Sequence, residues 1–226
     1  MEPYRNTDFS RMYWEVGMGD LLYHLGRKGR LCTCDTIDDF YRLGDRFHAE
    51  AWREFRESGL DPMLVAGRRC RELGMEFHAA YRTAGFFFPP PYDHWNADGL
   101  YLRRPDLRST GRDGSPAPRL SYAFPEVRRF VTDLLMEVAG KDVDGICLLF
   151  NRRPPLVDYD PPLVEAFKSE HGSDPRELSP EDERWLEIKS RPLTAFMREL
   201  RDELPYAAGH ITACVSNRRE NRLHGM

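Results

Sequence analysis

Six carboxylates stand at or after candidate strand ends, or within loops: Glu15, Asp20, Asp93, Asp98, Asp158 and Asp160. Cleavage of a glycosidic bond needs two such groups flanking it, about 5–5.5 Å apart for retention and farther apart for inversion. Glu15 is the best placed, because it lies in the apolar run Arg11 to Val16 (RMYWEV). Burial there would raise its pKa toward the range of a general acid. Asp20 follows directly, in Gly17-Met18-Gly19-Asp20, and is the partner candidate. Arg82 and Arg152 also follow candidate strands. They suit a bound carboxylate or sulfate, or an internal ion pair with Glu15 or Asp20. Trp14, Phe87 and Tyr159 offer ring surfaces, and Asn151 a polar rim group. That combination fits a sugar, whose ring faces are apolar and whose edge is hydroxylated.

Other titratable groups have plainer roles. Glu126 sits in the first turn of a helix, where an acid complements the dipole. His78 lies inside an apolar strand and reads as a hydrogen-bonded core histidine. Asp93 and His94 are adjacent, and two neighbours cannot build a metal site alone. The five cysteines are Cys32, Cys34, Cys70, Cys147 and Cys214. An odd count argues against a disulfide framework, and no second ligand pair accompanies Cys32-Thr33-Cys34. Structural thiols are expected, with neither metal nor cofactor. Phe86 to Phe88 form either an aromatic subsite or a covering loop.

These residues need elements to position them. Asp61-Pro62 opens a helix that Gly74 ends, and Met75 to Tyr81 follows as a strand. Arg82 to Leu120 has no sustained period and reads as one long loop. Pro125 opens a helix with Val127, Phe130, Val131, Leu134, Leu135 and Val138 on one stripe. Val143 to Phe150 is then a nearly continuous apolar strand, of the kind covered on both faces. Pro161 to His171 is a short helix. A long one is capped by Ser179, with a kink or break expected at Pro192. His210 to Val215 is a last strand. Alternation of this kind means a parallel α/β sheet with right-handed crossovers. In such sheets sites form where strands end.

Composition narrows the class of function. The 226 residues hold 33 Lys+Arg and 37 Asp+Glu, a formal charge of −4. Nucleic-acid binding faces usually make a domain basic, so no nucleic-acid partner is expected. No window approaches the roughly 18 uninterrupted apolar residues of a membrane span. Residues 1–9 carry no apolar signal core, so a cytoplasmic location is expected. No glycine-rich phosphate loop of either common pattern occurs, which disfavours a nucleotide-binding sheet.

Four stretches, taken together, resemble the bacterial glycosyl-hydrolase-like family 10 proteins. They are Gly74 to Arg82 (GMEFHAAYR), Ser121 to Arg128 (SYAFPEVR), Val143 to Arg152 (VDGICLLFNR) and Leu193 to Arg201 (LTAFMRELR). The resemblance spans roughly Arg11 to the C-terminus. It implies a (β/α)₈ barrel acting on carbohydrate, with Arg82 and Arg152 at the mouth. One departure stands out. Many relatives have an acid two residues after the position matching Cys147, where this chain has Leu149 before Phe150. A leucine cannot exchange a proton, so any second acid comes from elsewhere.

The expectation is therefore a single domain over 1–226 of TIM-barrel type. With about four to five parallel strands and outer helices it would be a partial barrel, truncated mainly on the C-terminal side. Its function would be glycoside hydrolysis, with Glu15 and Asp20 catalytic. Trp14, Arg82, Phe87, Asn151, Arg152 and Tyr159 would bind the sugar. The alternatives are a non-catalytic sugar-binding barrel and a metal-dependent hydrolase.

Overall fold

In a computed structural model, residues 2–31, 43–90, 92–96, 98–151, 155–205 and 209–215 are described. Cys32, Cys34, Arg152 and the segment after Val215 lie outside them. In chain order the elements begin with β1 (Arg11–Met18), β2 (Leu21–Leu22), β3 (Arg30–Leu31), α1 (Leu43–Ser58), α2 (Pro62–Glu72) and β4 (Glu76–Arg82). Next come α3 (Leu100–Arg103), β5 (Arg108–Thr110), β6 (Pro116–Leu120), α4 (Pro125–Ala139) and β7 (Gly145–Leu149). The last are α5 (Pro161–His171), α6 (Glu183–Glu203) and β8 (His210–Cys214).

The central sheet has the order β3-β2-β1-β4-β7-β8. Strands β1, β4, β7 and β8 pair in parallel, and β2 turns back antiparallel to β1. These four are the strands expected from the apolar runs. The fold is thus mixed α/β around a mostly parallel six-stranded sheet. Among the described residues this sheet is open, and no closed eight-stranded barrel forms.

Local chemistry explains the elements. Asp61 accepts the Met63 N–H at 3.0 Å and caps α2, while Pro62 occupies its first turn. Gly74 then takes a φ of +73°, a conformation open to glycine, and the chain turns into β4. Along β4 the side chains alternate. Phe77, Ala79 and Tyr81 enter the core between sheet and helices, with Ile146 and Leu148 beside them on β7. Helix α2 packs on β4 and α4 on β7, and α6 packs on both α4 and α5. His78, Ala80 and Arg82 therefore project from the opposite face.

Three expectations need correction. The segment Arg82 to Leu120 is not one loop, because β5 and β6 form an antiparallel hairpin within it. Both strands are too short, and β6 too rich in proline, to show a period. Helix α6 is capped by Asp182, whose carboxylate accepts the Arg184 N–H at 3.0 Å; Ser179 precedes it in a turn. The helix also continues through Pro192, which is buried in it.

A buried polar knot ties the loop after β2 to two helices. Lys141 Nζ lies 3.0 Å from His24 Nδ1 and 2.9 Å from Asp61 Oδ2. Burial, aided by the Lys141 cation, pushes the His24 pKa down to about 4. The unfolded chain takes up this proton near 6.5, so below that pH protons favour unfolding. Stability is expected to be full above about pH 6.5 and to fall by up to about 3 kcal/mol toward pH 4. Urea unfolding at pH 7 and pH 4.5 measures this. In His24→Phe the part of the slope due to this group should vanish; an unchanged slope would assign the effect elsewhere.

Candidate active site

The parallel strands β1, β4 and β7 end level with one another. Met18 pairs with Arg82, and Arg82 with Leu149. Just beyond these ends lies a cleft of about 570 Å³. Its size is within the roughly 300–1,000 Å³ of small-molecule sites. Met18, Arg82 and Asn151 bring the strand ends into its wall. Tyr23, Phe88, Tyr92 and Trp95 come from the loops, and Asp45 and His48 from α1.

Arg82, in the cleft wall, meets Glu15, which like Asp20 is not itself a lining residue: Nη2 lies 2.7 Å from Oε2, and each side chain is 29% exposed. The parallel register makes this pair. Glu15 sits opposite Ala80, on the face that also carries Arg82. A bulge between Glu15 and Gly17 shifts the strand just before it ends. Arg82 Nη1 makes a long contact, 3.9 Å, to Met18 Sδ.

The turn after β1 closes the back of the cleft. Gly19 has a φ of +58°. Its N–H donates to the Arg82 carbonyl at 3.1 Å, and its carbonyl accepts the Tyr81 hydroxyl at 2.5 Å. Its Cα is pressed against Gly85, leaving no space for a side chain. Asn96 fixes Phe88 by accepting its N–H at 2.8 Å and donating to its carbonyl at 2.7 Å.

Asp20 does not line the cleft. It is 1% exposed and accepts from Arg30 Nη2 at 3.0 Å and from the Leu100 N–H at 2.6 Å. Arg30 Nη2 also donates to the Trp95 carbonyl at 2.9 Å. Asp20 therefore braces the loop that carries Trp95.

The other residues singled out from sequence are dispersed. Trp14 packs against Phe77, ring centroids 6.4 Å apart, on the helix side of the sheet. Phe87 lies against Tyr101 at 4.8 Å, while its neighbour Phe88 faces the cleft. Tyr159 is buried against Trp185 at 4.9 Å in the helix layer. Near it, burial raises the Asp158 pKa, and Asp160 accepts from Ser121 Oγ and the Thr110 N–H. Arg82, Asn151 and, from the Phe86 to Phe88 run, Phe88 are the site candidates from sequence that line the cleft directly.

Sequence reasoning missed Tyr23, Asp45, His48, Tyr92 and Trp95. A signal existed for α1, since Ala49, Trp52 and Phe55 recur at intervals of three. The His48 ring stands edge-on to Tyr23 and to Trp95, each centroid 5.9 Å away. Burial lowers its pKa, and the Asp45 carboxylate opposes that shift. Cys70, Cys147 and Cys214 are free thiols. Among the described residues no group of three or more His, Cys, Asp or Glu is placed to hold a metal. Among them, too, no helix is long and apolar enough to cross a membrane.

No family model matches the chain, and no curated protein matches it. Among solved structures it is similar to alpha-L-fucosidase isoenzyme 2 from Paenibacillus thiaminolyticus. The TM-score is 0.52 at 14% identity, over 93% of this chain. The chain spans 28% of the length of that neighbour. The likeness is one of fold.

Proposed function

We propose that the chain is a carbohydrate-active protein that binds a sugar in the strand-end cleft and hydrolyses its glycosidic bond. The observation that carries this is the makeup of the cleft. Tyr23, Tyr92 and Trp95 supply ring surfaces, while Arg82 and Asn151 supply a hydrogen-bonding rim, all at the mouth of a parallel sheet. Glu15 is ion-paired with Arg82, a residue of the cleft wall. In this role it acts as nucleophile, as carboxylates do in retaining glycosidases. The fold of a solved fucosidase accords with the reading and makes α-L-fucosides the first substrates to try.

A panel of aryl glycosides, headed by the α-L-fucoside, tests it by release of the phenol. Glu15→Gln should reduce turnover by at least about 100-fold while leaving affinity within a few-fold. Trp95→Ala should weaken sugar binding by about tenfold, the worth of one ring contact. Absence of binding across the panel would end the proposal.

A second reading has its own support. Asp20 is engaged away from the cleft, and β7 ends in Leu149 rather than in an acid. A sugar-binding protein without turnover would need no second acid. Binding without phenol release, unchanged in Glu15→Gln, would favour it.

A further inference from the structure

We infer that His48 of helix α1 is the proton-transferring residue of the cleft, taking the place of the second strand-end carboxylate. The inference rests on the hydrolase reading of Glu15. Hydrolysis needs a group that first gives a proton to the leaving oxygen and then takes one from water. Among the described residues, Asp20, Asp93, Asp98, Asp158 and Asp160 are all outside the lining of the cleft. Asp20 holds Arg30, and Asp160 holds Ser121 and Thr110 in the helix layer. The cleft wall itself carries Asp45, His48, Arg82, Tyr23 and Tyr92 as its titratable groups. Of these, the imidazole exchanges a proton most readily near neutral pH.

His48 is exposed to solvent, and its ring is flanked by aromatic side chains. Three aromatic side chains from separate parts of the chain bound it: Tyr23 after β2, Trp52 on α1 itself, and Trp95 from the braced loop. Asp45 lies one turn earlier on the same helix and favours the charged ring. Arg82 lies in the strand-end wall of the same cleft.

The steps balance. In the first, a Glu15 carboxylate oxygen forms a bond to the anomeric carbon. The bond from that carbon to the leaving oxygen breaks, its electron pair stays on that oxygen, and the oxygen takes a proton from the His48 imidazolium. In the second, water attacks the anomeric carbon and gives a proton to neutral His48. The bond to Glu15 breaks and its electron pair returns to the carboxylate. One water is consumed, and both side chains return to their starting states.

The experiment compares phenyl with dinitrophenyl glycosides of the sugar that the protein accepts. A phenol leaving group needs the proton, whereas a dinitrophenol hardly does. His48→Gln should lose about 100-fold on the phenyl glycoside and less than about tenfold on the dinitrophenyl glycoside. Glu15→Gln should lose both. In the wild type, kcat/KM for the phenyl glycoside should fall as pH rises through the His48 pKa, below 6.5. That limb should vanish in His48→Gln. Equal losses on both substrates, or no loss on either, would overturn the inference and leave the hydrolase reading standing. If tryptophan fluorescence shows sugar binding but no glycoside is turned over, the hydrolase reading falls and the role of His48 falls with it. No binding refutes both.

Discussion

Asp20→Ala is expected to destabilise the protein by about 3–5 kcal/mol, the cost of removing one partner from a buried ion pair. The carboxylate is almost fully buried, and its loss removes the anion that Arg30 pairs with and the acceptor of the Leu100 N–H. Desolvation of donors without acceptors sets this magnitude. Asp20→Asn keeps one acceptor and should cost less. Denaturant unfolding of both variants measures the order. The outcome also bears on the cleft, because Arg30 anchors the Trp95 carbonyl. Sugar affinity should therefore fall in Asp20→Ala even under conditions where the variant is folded. A catalytic Asp20 would give the reverse pattern, with turnover lost and stability and affinity kept.

Gly19→Ala is expected to cost at least about 2 kcal/mol and to deform the cleft. Two costs add. A positive φ is disfavoured for any residue with a Cβ, and that Cβ would overlap the backbone of Gly85. Backbone cannot swing aside as a flexible side chain can. The turn after β1 must then separate from the loop after β4, breaking the Gly19–Arg82 and Tyr81–Gly19 hydrogen bonds. Thermal unfolding measures the first effect and sugar affinity the second. Gly114 has a φ of +83° with nothing near its Cα, so Gly114→Ala bears only the conformational cost. A Gly19→Ala variant no less stable than Gly114→Ala would refute the packing argument.

The four parallel strands were legible because each is an apolar run, and β4, β7 and β8 each follow an amphipathic helix. Strand-end logic then led directly to Arg82 and Asn151. It failed for the aromatic residues for a physical reason. Phe87 and Phe88 are neighbours, and adjacent side chains point apart, so composition alone could not choose between them. Trp14 is adjacent to Glu15 and faces the helix layer by the same alternation. Tyr159 and Asp160 lie in a loop, but that loop packs against α6 rather than over the strand ends. Asp20 looked like a site acid because burial and catalysis select the same residue types. Helix α1 went unread because its charged residues outnumber its apolar ones. It is attached by a few large rings rather than by a broad stripe.

That mode of attachment has a consequence for cooperativity. Among the described residues, the buried apolar side chains form two separate clusters. One fills the space between the sheet and helices α2, α4, α5 and α6. The other is small and joins Ala49 and Trp52 of α1 to Leu21, Phe88 and Trp95. The strand ends and the helix that face each other across the cleft thus draw on different reserves of stability. Local opening of a small cluster takes less free energy than global unfolding. Denaturant or heat should therefore separate the two walls before the sheet melts, and loss of the site and loss of the fold are distinct transitions.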